Sequence, residues 1–370
     1  MAASTSQNAS ALKRGWTTGA CATAATRAAC TALVTGTFPD PVRITLPKGE
    51  QPAFALALEE AGEGWARAGI VKDAGDDPDC TNGAHLRATV SWCNPVGEIQ
   101  LKGGAGVATV TKAGLGLAVG SPAINPVPFK NITEMVREGA KEALKTRGLQ
   151  VVISVPDGES MSEQTQNARL GLVGGISILG TSGIVRPYSS AAYKVSIAQG
   201  IDVARGEGLG TLVLTTGGKS EAYLMQHTAL PQSSYVQMGD FAGFSLKRAA
   251  LRGFKKVIIG GMPGKLSKIA MGKMQTHVAG SHVNIAFLAE IAVEAGASDE
   301  MVQMIDAANT ARHVQEIVAK QQIQGFWDIV ATKVCEVSRK EVGDVLCVAC
   351  LLVDFSGEVI GCAERGEVEN

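Results

Sequence analysis

The pattern of hydrophobic and polar positions divides the chain into an N-terminal part of short segments and a later part of longer apolar runs. A stretch rich in alanine, cysteine and threonine predicts a helix from residue 17 or 18 to residue 34, with Gly36 just past its end. Turn residues then separate β-type segments at residues 42–46, 54–58, 65–71 and 86–92. A helix at residues 132–147 and a strand at 151–155 follow. Residues 1–165 are therefore predicted to form an α+β domain with a mixed sheet.

Beyond residue 166, apolar runs that end in glycine loops alternate with helical stretches. The runs cover residues 172–179, 211–214 and 256–259, and each is followed directly by a glycine-containing loop. Helical periodicity appears at residues 191–204, 241–252 and 283–295. Strand, glycine loop and helix in repetition predict a mainly parallel, three-layer α/β domain over residues 166–300.

The last part of the chain, residues 301–370, combines helices with a hairpin. Helical stretches are predicted at residues 300–307, 311–321 and 325–336, and two apolar strands at 345–353 and 359–363 turn at residues 354–357. The pattern leaves open which of the two domains this part packs on. The predicted fold class is α/β, with an α+β N-terminal domain and a mainly parallel α/β domain.

The composition favours a globular protein. Of 370 residues, 45% are hydrophobic and 19% are charged, with a formal net charge of −1. These values disfavour a largely disordered chain and a nucleic-acid binder that works through a general basic field. The longest apolar run, residues 345–353, is shorter than the ~20 residues of a membrane span. Because the N-terminus has no apolar signal region and eight cysteines are spread thinly, we expect a cytoplasmic protein with reduced thiols.

One glycine loop comes close to a nucleotide-binding motif. Residues 260–267 have the sequence GGMPGKLS. A P-loop needs four residues between its glycines and Ser or Thr directly after the lysine, whereas three residues separate Gly260 from Gly264 and Leu266 follows Lys265. The mismatch counts against an ATP-using small-molecule enzyme, which stays open as an alternative.

Cysteine and histidine spacing predicts no bound metal. Cys347 and Cys350 are three residues apart in a predicted strand, so their side chains would point to opposite faces of the sheet. His277 and His282 are five residues apart, not four, and would not share one helical face as metal ligands do.

Three segments of the predicted N-terminal domain are suited to charged groups. Residues 72–79 contain four aspartates, whose mutual repulsion requires a cation, nearby Lys or Arg, or backbone N–H groups. The glycine-rich residues 103–106, followed by Lys112, offer backbone donors and a positive charge. The helix that begins within residues 16–20 has no acidic residue in its first turn, so the partial positive charge of its N-terminus is not compensated locally. This helix end could therefore also bind the carboxylates of an acidic ligand.

Taken together, these segments resemble the sequence signature of the cobalt-precorrin-5B C1-methyltransferases, the CbiD family. The matches occur in order from about residue 13 to residue 360, which makes the set more specific than any one of them. The matching segments are GWTTGACA at residues 15–22, residues 72–79 with NGA at 82–84, GGAG at 103–106, PAINPVP at 122–128 and GTSGIVRP at 180–187.

The resemblance implies a step of corrin ring synthesis in cobalamin biosynthesis. S-adenosylmethionine would donate a methyl group to C1 of a ring-contracted precorrin-5B, with or without cobalt. The implied cofactor is S-adenosylmethionine and the implied partner is a tetrapyrrole, with no nucleic acid and no membrane. A non-catalytic tetrapyrrole carrier is a second alternative, and the sequence leaves open whether the chain forms a homo-oligomer.

Candidate site residues follow from the loops and the implied chemistry. Glycine loops at strand ends let adenosine and methionine lie against the backbone, and the cofactor-binding candidates are Thr181, Ser182, Gly183, Gly217, Gly218, Gly260 and Gly261. Carboxylates of the substrate favour backbone N–H groups and Arg or Lys, and the substrate-binding candidates are Thr17, Thr18, Gly19, Gly104, Gly106, Lys112 and Arg186. Methyl transfer depends on orientation more than on a strong base. Any proton adjustment is assigned to Asp240, His277, Asp76 and Asp77.

Overall fold

The computed structural model describes residues 12–277 and 282–367. The chain forms two compact units, and the first ends at Ser189. The boundary predicted at residues 165 and 166 lies earlier in the chain than this division. The difference arises because the intervening segment forms short strands that pair with strands of the first unit.

The first unit combines helices with many short strands. Its helices are α1 (Thr18–Thr35), α2 (Pro126–Gly139) and α3 (Gly158–Ser162), and a 3-10 turn covers Ala143–Lys145. Its strands are β1 (Gly15–Trp16), β2 (Val42–Arg43), β3 (Ala53–Phe54), β4 (Leu58–Gly62), β5 (Trp65–Val71), β6 (His85–Cys93), β7 (Ile99–Gly103), β8 (Gly106–Val107), β9 (Thr109–Val110), β10 (Gly148–Ser154), β11 (Leu172–Val173), β12 (Gly175–Ile176) and β13 (Ile184–Val185).

A five-stranded sheet in the order β4-β5-β6-β10-β7 forms the centre of this unit. Its strands pair antiparallel except β10 and β7, which are parallel, so the predicted mixed sheet is confirmed. Helix α1 packs on β5 and β6. Its buried positions are almost all Ala, Cys, Gly or Thr, whose small side chains let the helix approach the sheet closely.

Helix α1 has well-defined ends, as its sequence predicts. The Thr17 hydroxyl accepts a hydrogen bond from the Ala20 N–H at 3.2 Å, and Gly36 ends the helix at a φ of +80°. We expect Thr17→Ala to lower the free energy of unfolding by about 1 kcal/mol, since an N-cap hydrogen bond is lost. Thr17→Ser keeps the hydroxyl and should retain most of the stability in urea unfolding. Equal losses in both variants would contradict the capping role.

The second unit contains more helices and fewer strands among its described residues. Its helices are α4 (Ser190–Gly206), α5 (Gly218–His227), α6 (Ala242–Leu251), α7 (Pro263–Ala270), α8 (Ile285–Glu294), α9 (Asp299–Asp306), α10 (Ala311–Gln321) and α11 (Phe326–Glu341), and a 3-10 turn covers Gln232–Ser234. Its strands are β14 (Thr211–Thr215), β15 (Tyr235–Gln237), β16 (Lys256–Gly261), β17 (Cys347–Val353) and β18 (Val359–Arg365).

These strands form one sheet in the order β15-β14-β16-β17-β18. The first four are parallel and β18 is antiparallel to β17. Along β14, Leu212 and Leu214 pack into a large cluster with α4, α6, α7 and α11, whereas Val213 packs on the other face with Leu224 of α5. Helices therefore cover both faces, and the predicted three-layer α/β domain is confirmed. The C-terminal hairpin completes this sheet, which answers the question of where it packs.

Several predicted elements differ from the structure. The strand predicted at residues 54–58 is not formed as one element, because β3 ends at Phe54 and β4 begins at Leu58. The apolar run at residues 172–179 is not a strand of the parallel sheet. It is divided into β11 and β12 at Gly174, whose φ is +84°, and these strands pair with β9 and β8. The helix predicted at residues 132–147 begins earlier, at Pro126, and ends at Gly139, where a 3-10 turn replaces its last part.

The eight cysteines are all free thiols, as expected for reduced cysteines. Burial raises the pKa of the Cys21 and Cys30 thiols to about 12, so they are neutral packing groups. Within residues 12–277 and 282–367, no helix is long and apolar enough to cross a membrane. Over the same residues, no group of three or more His, Cys, Asp or Glu side chains is arranged to hold a metal ion.

Candidate functional site

The parallel sheet of the second unit reverses its strand order at β14. The chain passes from β14 to β15 on one side and then to β16 on the other. Helix α5 follows β14 onto one face and α7 follows β16 onto the other. A crevice at such a reversal, beyond the carboxyl ends of the strands, is where open α/β sheets bind ligands. We call this place the strand-end crevice.

The four glycines at the strand-end crevice have two different roles. A Cβ on Gly260 would overlap Leu224, and one on Gly261 would lie 2.7 Å from a side chain of the neighbouring loop, so packing requires both glycines. A Cβ on Gly217 would meet no atom within 4 Å, and one on Gly218 would meet only the Gln237 amide, at 3.6 and 3.9 Å. Gly217 and Gly218 therefore border open space, where a ligand can lie against the backbone.

A hydrogen-bond network holds Asp240 at this crevice. The Thr276 hydroxyl donates to Asp240 Oδ1 at 2.9 Å, and Lys265 Nζ lies 3.1 Å from the same oxygen. Lys265 Nζ also donates to the Thr216 carbonyl at 3.1 Å, which ties the network to the loop after β14. Burial alone would raise the pKa of Asp240, but Lys265 and Thr276 outweigh it and lower the pKa. Asp240 is therefore an ionised acceptor and a weak base.

A second polar group surrounds the start of α5. Glu221 lies in its first turn, is 5% exposed, and accepts a hydrogen bond from Gln237 Nε2 at 3.1 Å. The Tyr193 hydroxyl donates to the Gln237 carbonyl at 3.3 Å. Burial raises the pKa of Tyr193, and the charges of Asp240 and Glu221 raise it further. Both carboxylates therefore lie near the Tyr193 hydroxyl.

The structure brings together two of the four predicted catalytic residues. The charge of His277 helps to lower the pKa of Asp240, so these two side chains belong to one cluster. Asp76 and Asp77 lie in the first unit. Sequence reasoning missed Lys265, Glu221, Gln237 and Tyr193 as site residues. The sequence signal for Lys265 is its place in the glycine loop after β16, which the P-loop comparison alone does not identify as a partner of Asp240.

The predicted cofactor loop with Thr181, Ser182 and Gly183 belongs to the first unit, whereas the other glycine loops assigned to the cofactor belong to the second. The Thr17 N–H donates to the Gly183 carbonyl at 3.0 Å, and the Ser182 hydroxyl bonds within its own loop. A Cβ on Gly183 would lie 2.6 Å from Leu46. Its sequence shares the pattern of the strand-end loops, an apolar run followed by glycine, but that run pairs with β9 and β8 of the first unit.

The start of α1, predicted to bind substrate carboxylates, is closed by protein groups. Thr17 and Thr18 are 7% and 4% exposed. The Thr18 hydroxyl accepts from the Leu179 N–H at 2.9 Å and donates to the Ser177 carbonyl at 3.1 Å, and the Gly19 N–H donates to the Leu179 carbonyl at 2.9 Å. These predicted substrate contacts serve packing between α1 and the segment before residue 180.

Gly104 and Gly106 also have internal partners. The Gly104 N–H donates to the Ile153 carbonyl at 2.7 Å. Gly106 has a φ of +72°, and a Cβ there would overlap the Val155 carbonyl. Backbone conformation and close packing therefore explain both glycines without a ligand.

The acidic loop at residues 72–79 is held by protein donors. Asp76 Oδ2 accepts from the Lys13 N–H at 2.6 Å, and Asp77 Oδ1 accepts from the Tyr188 N–H at 2.9 Å. Of the three alternatives for offsetting the repulsion, lysine side chains and backbone N–H groups are the ones observed. Asp76 and Asp77 thus tie the loop to two segments distant in sequence, at Lys13 and Tyr188.

Two predicted cations of the first unit are placed differently. Lys112 is half-buried, with its stem against Gly171, whereas Arg186 is exposed just after β13. A cavity of about 470 Å³ in the same unit lies along α2 and is bordered by Lys130, Glu134 and Thr181. Its lining includes positively and negatively charged side chains.

The comparisons with known proteins agree over nearly the whole chain. A family model described as CbiD matches residues 5–187, and one described as CbiD, C-terminal domain, matches residues 275–364. The cobalt-precorrin-5B C(1)-methyltransferase of Priestia megaterium is 48% identical over 353 residues, covering 95% of this chain and 96% of that protein. The enzyme of that name from Geobacillus sp. (strain WCH70) is 46% identical over 358 residues, covering 96% and 98%.

A crystal structure of a cobalamin biosynthesis protein (cbiD) from Archaeoglobus fulgidus is also similar, with 25% sequence identity and a TM-score of 0.37. The matched region covers 84% of the present chain and 85% of the chain in the crystal structure. The sequence matches alone are decisive, because they exceed 45% identity over more than nine-tenths of both chains. They confirm the family that the sequence motifs predict. The chain therefore belongs to the CbiD family, together with the cobalt-precorrin-5B C(1)-methyltransferases.

Proposed function

We propose that the chain transfers the methyl group of S-adenosylmethionine to C1 of cobalt-precorrin-5B, and that the strand-end crevice holds the methyl donor. The reaction is the one named for relatives that match the chain almost end to end. The observation that carries the cofactor placement is the reversal of strand order at β14, with Gly217 and Gly218 open to a ligand beside it.

The groups at the crevice fit a nucleoside with a positively charged amino-acid arm. Gly217 and Gly218 offer backbone without side chains, against which a flat ring system can lie. Glu221 and Asp240 supply carboxylate oxygens, which accept hydrogen bonds from hydroxyl and ammonium groups. This donor and acceptor set requires no metal ion.

The chemistry demands orientation from the protein. When bound, S-adenosylmethionine supplies a methyl group already activated by its sulfonium. The chain has to hold that methyl in line with the ring carbon and to exclude water, and orientation of this kind accounts for large rate effects. The Thr276–Asp240–Lys265 network fixes one wall of the crevice and the loop after β14 together. Asp240, with its lowered pKa, is suited to accepting hydrogen bonds and not to removing a proton.

The alternative of an ATP-using enzyme fits the crevice less well. A phosphate would bind at the start of α5, where backbone N–H groups point outward. Glu221 places an acidic side chain in this first turn, and its charge disfavours a phosphate there. The loop before α7 also lacks the spacing of a P-loop.

We propose that residues of the first unit contact the substrate. Arg186 is exposed and offers a charged, bidentate donor for a carboxylate arm of the tetrapyrrole. Lys112 offers a second cation, and Thr181 borders a cavity. Arg186→Ala should raise KM for the tetrapyrrole about tenfold, and Arg186→Lys should recover part of it, because one charge-assisted hydrogen bond contributes about 1.5–3 kcal/mol. An unchanged KM in steady-state assays would remove Arg186 from the site.

Calorimetry on the full chain tests the cofactor assignment. S-adenosylhomocysteine, which keeps the adenosine and the amino-acid arm, should bind with a dissociation constant in the micromolar range. ATP with Mg²⁺ should bind at least about 100-fold more weakly, a difference of about 2.7 kcal/mol. Tight ATP binding without S-adenosylhomocysteine binding would favour the alternative enzyme. Binding of the tetrapyrrole alone would favour the carrier.

A further inference from the structure

Asp240 was predicted as a catalytic residue, but its surroundings point to another role. Both hydrogen bonds to its side chain, from Thr276 and Lys265, end on Oδ1. Among the described residues, Oδ2 is thus the oxygen left to accept from a ligand. The side chain is 24% exposed, so the carboxylate is not closed off from a ligand by the described residues.

The position of Asp240 in the fold matches its chemistry. It follows β15, the strand reached from β14 through the open glycine loop and α5. In nucleoside-binding α/β sheets, an acidic residue about 20 residues after the glycine loop, at the end of the next strand, binds ribose hydroxyls. Asp240 stands at about this distance from Gly217 and Gly218.

The turn that presents Asp240 is rigidly held. Gly239 has a φ of +56°, and a Cβ there would lie 2.8 Å from the Tyr193 hydroxyl. The Thr276 N–H donates to the Asp240 carbonyl at 3.0 Å, in addition to the side-chain bond from the same residue. Backbone and carboxylate are therefore fixed by one partner, which lowers the entropy cost of holding a ligand hydroxyl.

We infer that Asp240 Oδ2 accepts hydrogen bonds from the ribose hydroxyls of the methyl donor, and that Thr276 and Lys265 position it for this role. The inference rests on the proposed function, since it assigns part of the same crevice. The charge of Lys265 balances that of Asp240, so the carboxylate recognises neutral hydroxyl groups instead of acting as a general base.

The test compares S-adenosylhomocysteine with its 2′-deoxy and 3′-deoxy analogues by calorimetry on the full chain. In the unsubstituted protein, removal of at least one hydroxyl should weaken binding about 10- to 100-fold, as expected for a hydrogen bond to a charged group. Asp240→Ala should weaken the binding of S-adenosylhomocysteine by a similar factor. In this variant the same deoxy analogue should bind as tightly as S-adenosylhomocysteine does. Asp306→Ala, an exposed aspartate at the end of α9, is the matched control and should leave both values unchanged.

Kinetics separate this role from catalysis and from simple support. Asp240→Ala should raise KM for S-adenosylmethionine while kcat at saturation changes less than about threefold, whereas loss of a general base would lower kcat about 10²–10⁴-fold. A persistent deoxy effect in Asp240→Ala would overturn the inference. The inference would also be overturned if removing a ribose hydroxyl still weakened binding in Asp240→Ala but no longer did so in Glu221→Gln. That result would assign the hydroxyls to Glu221. If the unsubstituted protein binds no S-adenosylhomocysteine, the proposed function itself fails.

Discussion

Gly217→Val is expected to weaken S-adenosylhomocysteine binding by about 100-fold or more, which corresponds to at least about 2.7 kcal/mol. The backbone of Gly217 is extended, with φ of 161°, so a valine can adopt it without strain. A Cβ there meets no protein atom within 4 Å. The new side chain therefore fills open space in the strand-end crevice, where the ligand is proposed to lie. Calorimetry measures the affinity, and thermal unfolding should show an unchanged midpoint.

Gly210→Val is the matched control for this prediction. Gly210 precedes the same strand at its other end, and a Cβ there also meets no atom within 4 Å. The control should bind S-adenosylhomocysteine like the unsubstituted protein. Equal affinities for Gly217→Val and Gly210→Val, in folded protein, would place the cofactor elsewhere. A parallel test with Gly261→Val is less informative, because a Cβ there would lie 2.7 Å from the Thr216 side chain and could perturb the fold.

Asp79→Ala should lower the free energy of unfolding of the first unit by about 3–5 kcal/mol, because it leaves a buried lysine without its partner. Lys72 is only 1% exposed in its side chain, and its Nζ lies 2.6 Å from Asp79 Oδ2. The other oxygen of Asp79 accepts from the Thr81 N–H and hydroxyl at 2.8 and 2.7 Å. Urea unfolding followed by circular dichroism measures the loss.

Asp73→Ala tests whether burial is the cause. Asp73 pairs with Lys13 at a similar distance of 2.7 Å, but both side chains are more than half exposed. Its loss should cost no more than about 1 kcal/mol. If Asp73→Ala and Asp79→Ala lowered the free energy of unfolding by similar amounts, the buried pair would contribute no more to stability than the exposed pair.

The ion pair between Lys72 and Asp79 also makes the free energy of unfolding depend on pH. Burial alone would raise the pKa of Asp79, but Lys72 and Thr81 outweigh it and lower the pKa. A carboxylate whose pKa is lower in the folded state stabilises the fold above its unfolded pKa. This contribution should therefore be present at neutral pH and fall as the pH drops through the carboxyl range. In Asp79→Ala the unfolding free energy should depend less on pH there.

Elements with strong local signals were predictable from the sequence. Helix α1 was located within about one residue because Thr17 and Gly36 mark its ends. Helix α10 was predicted at its observed bounds, residues 311–321. The parallel sheet followed from the repeated order of strand, glycine loop and helix. The short α5, β15 and α7 were not predicted, since packing rather than local periodicity stabilises such elements.

The candidate site was predictable only in part. Gly217 and Gly218 could be assigned because strand-end glycine loops have a known use in α/β sheets. The loop at residues 180–183 shares that local pattern, yet its strand pairing places it in the first unit. Glu221 and Tyr193 carry no local motif, and their shared hydrogen-bond partner Gln237, at the end of β15, brings them to one crevice. Long-range pairing of this kind is not visible in a single sequence.

The most direct test of the proposed reaction is a single-turnover incubation of the full chain with S-adenosylmethionine labelled in its methyl group with ¹³C and with cobalt-precorrin-5B. Mass spectrometry of the pigment should show one added labelled methyl group, and NMR should locate it at C1. Gly210→Val should behave in the same way, and Gly217→Val should transfer little label at the same donor concentration. Pigment that stays bound but unlabelled with the unsubstituted protein, beside an active control enzyme, would contradict a methyltransferase and support a carrier.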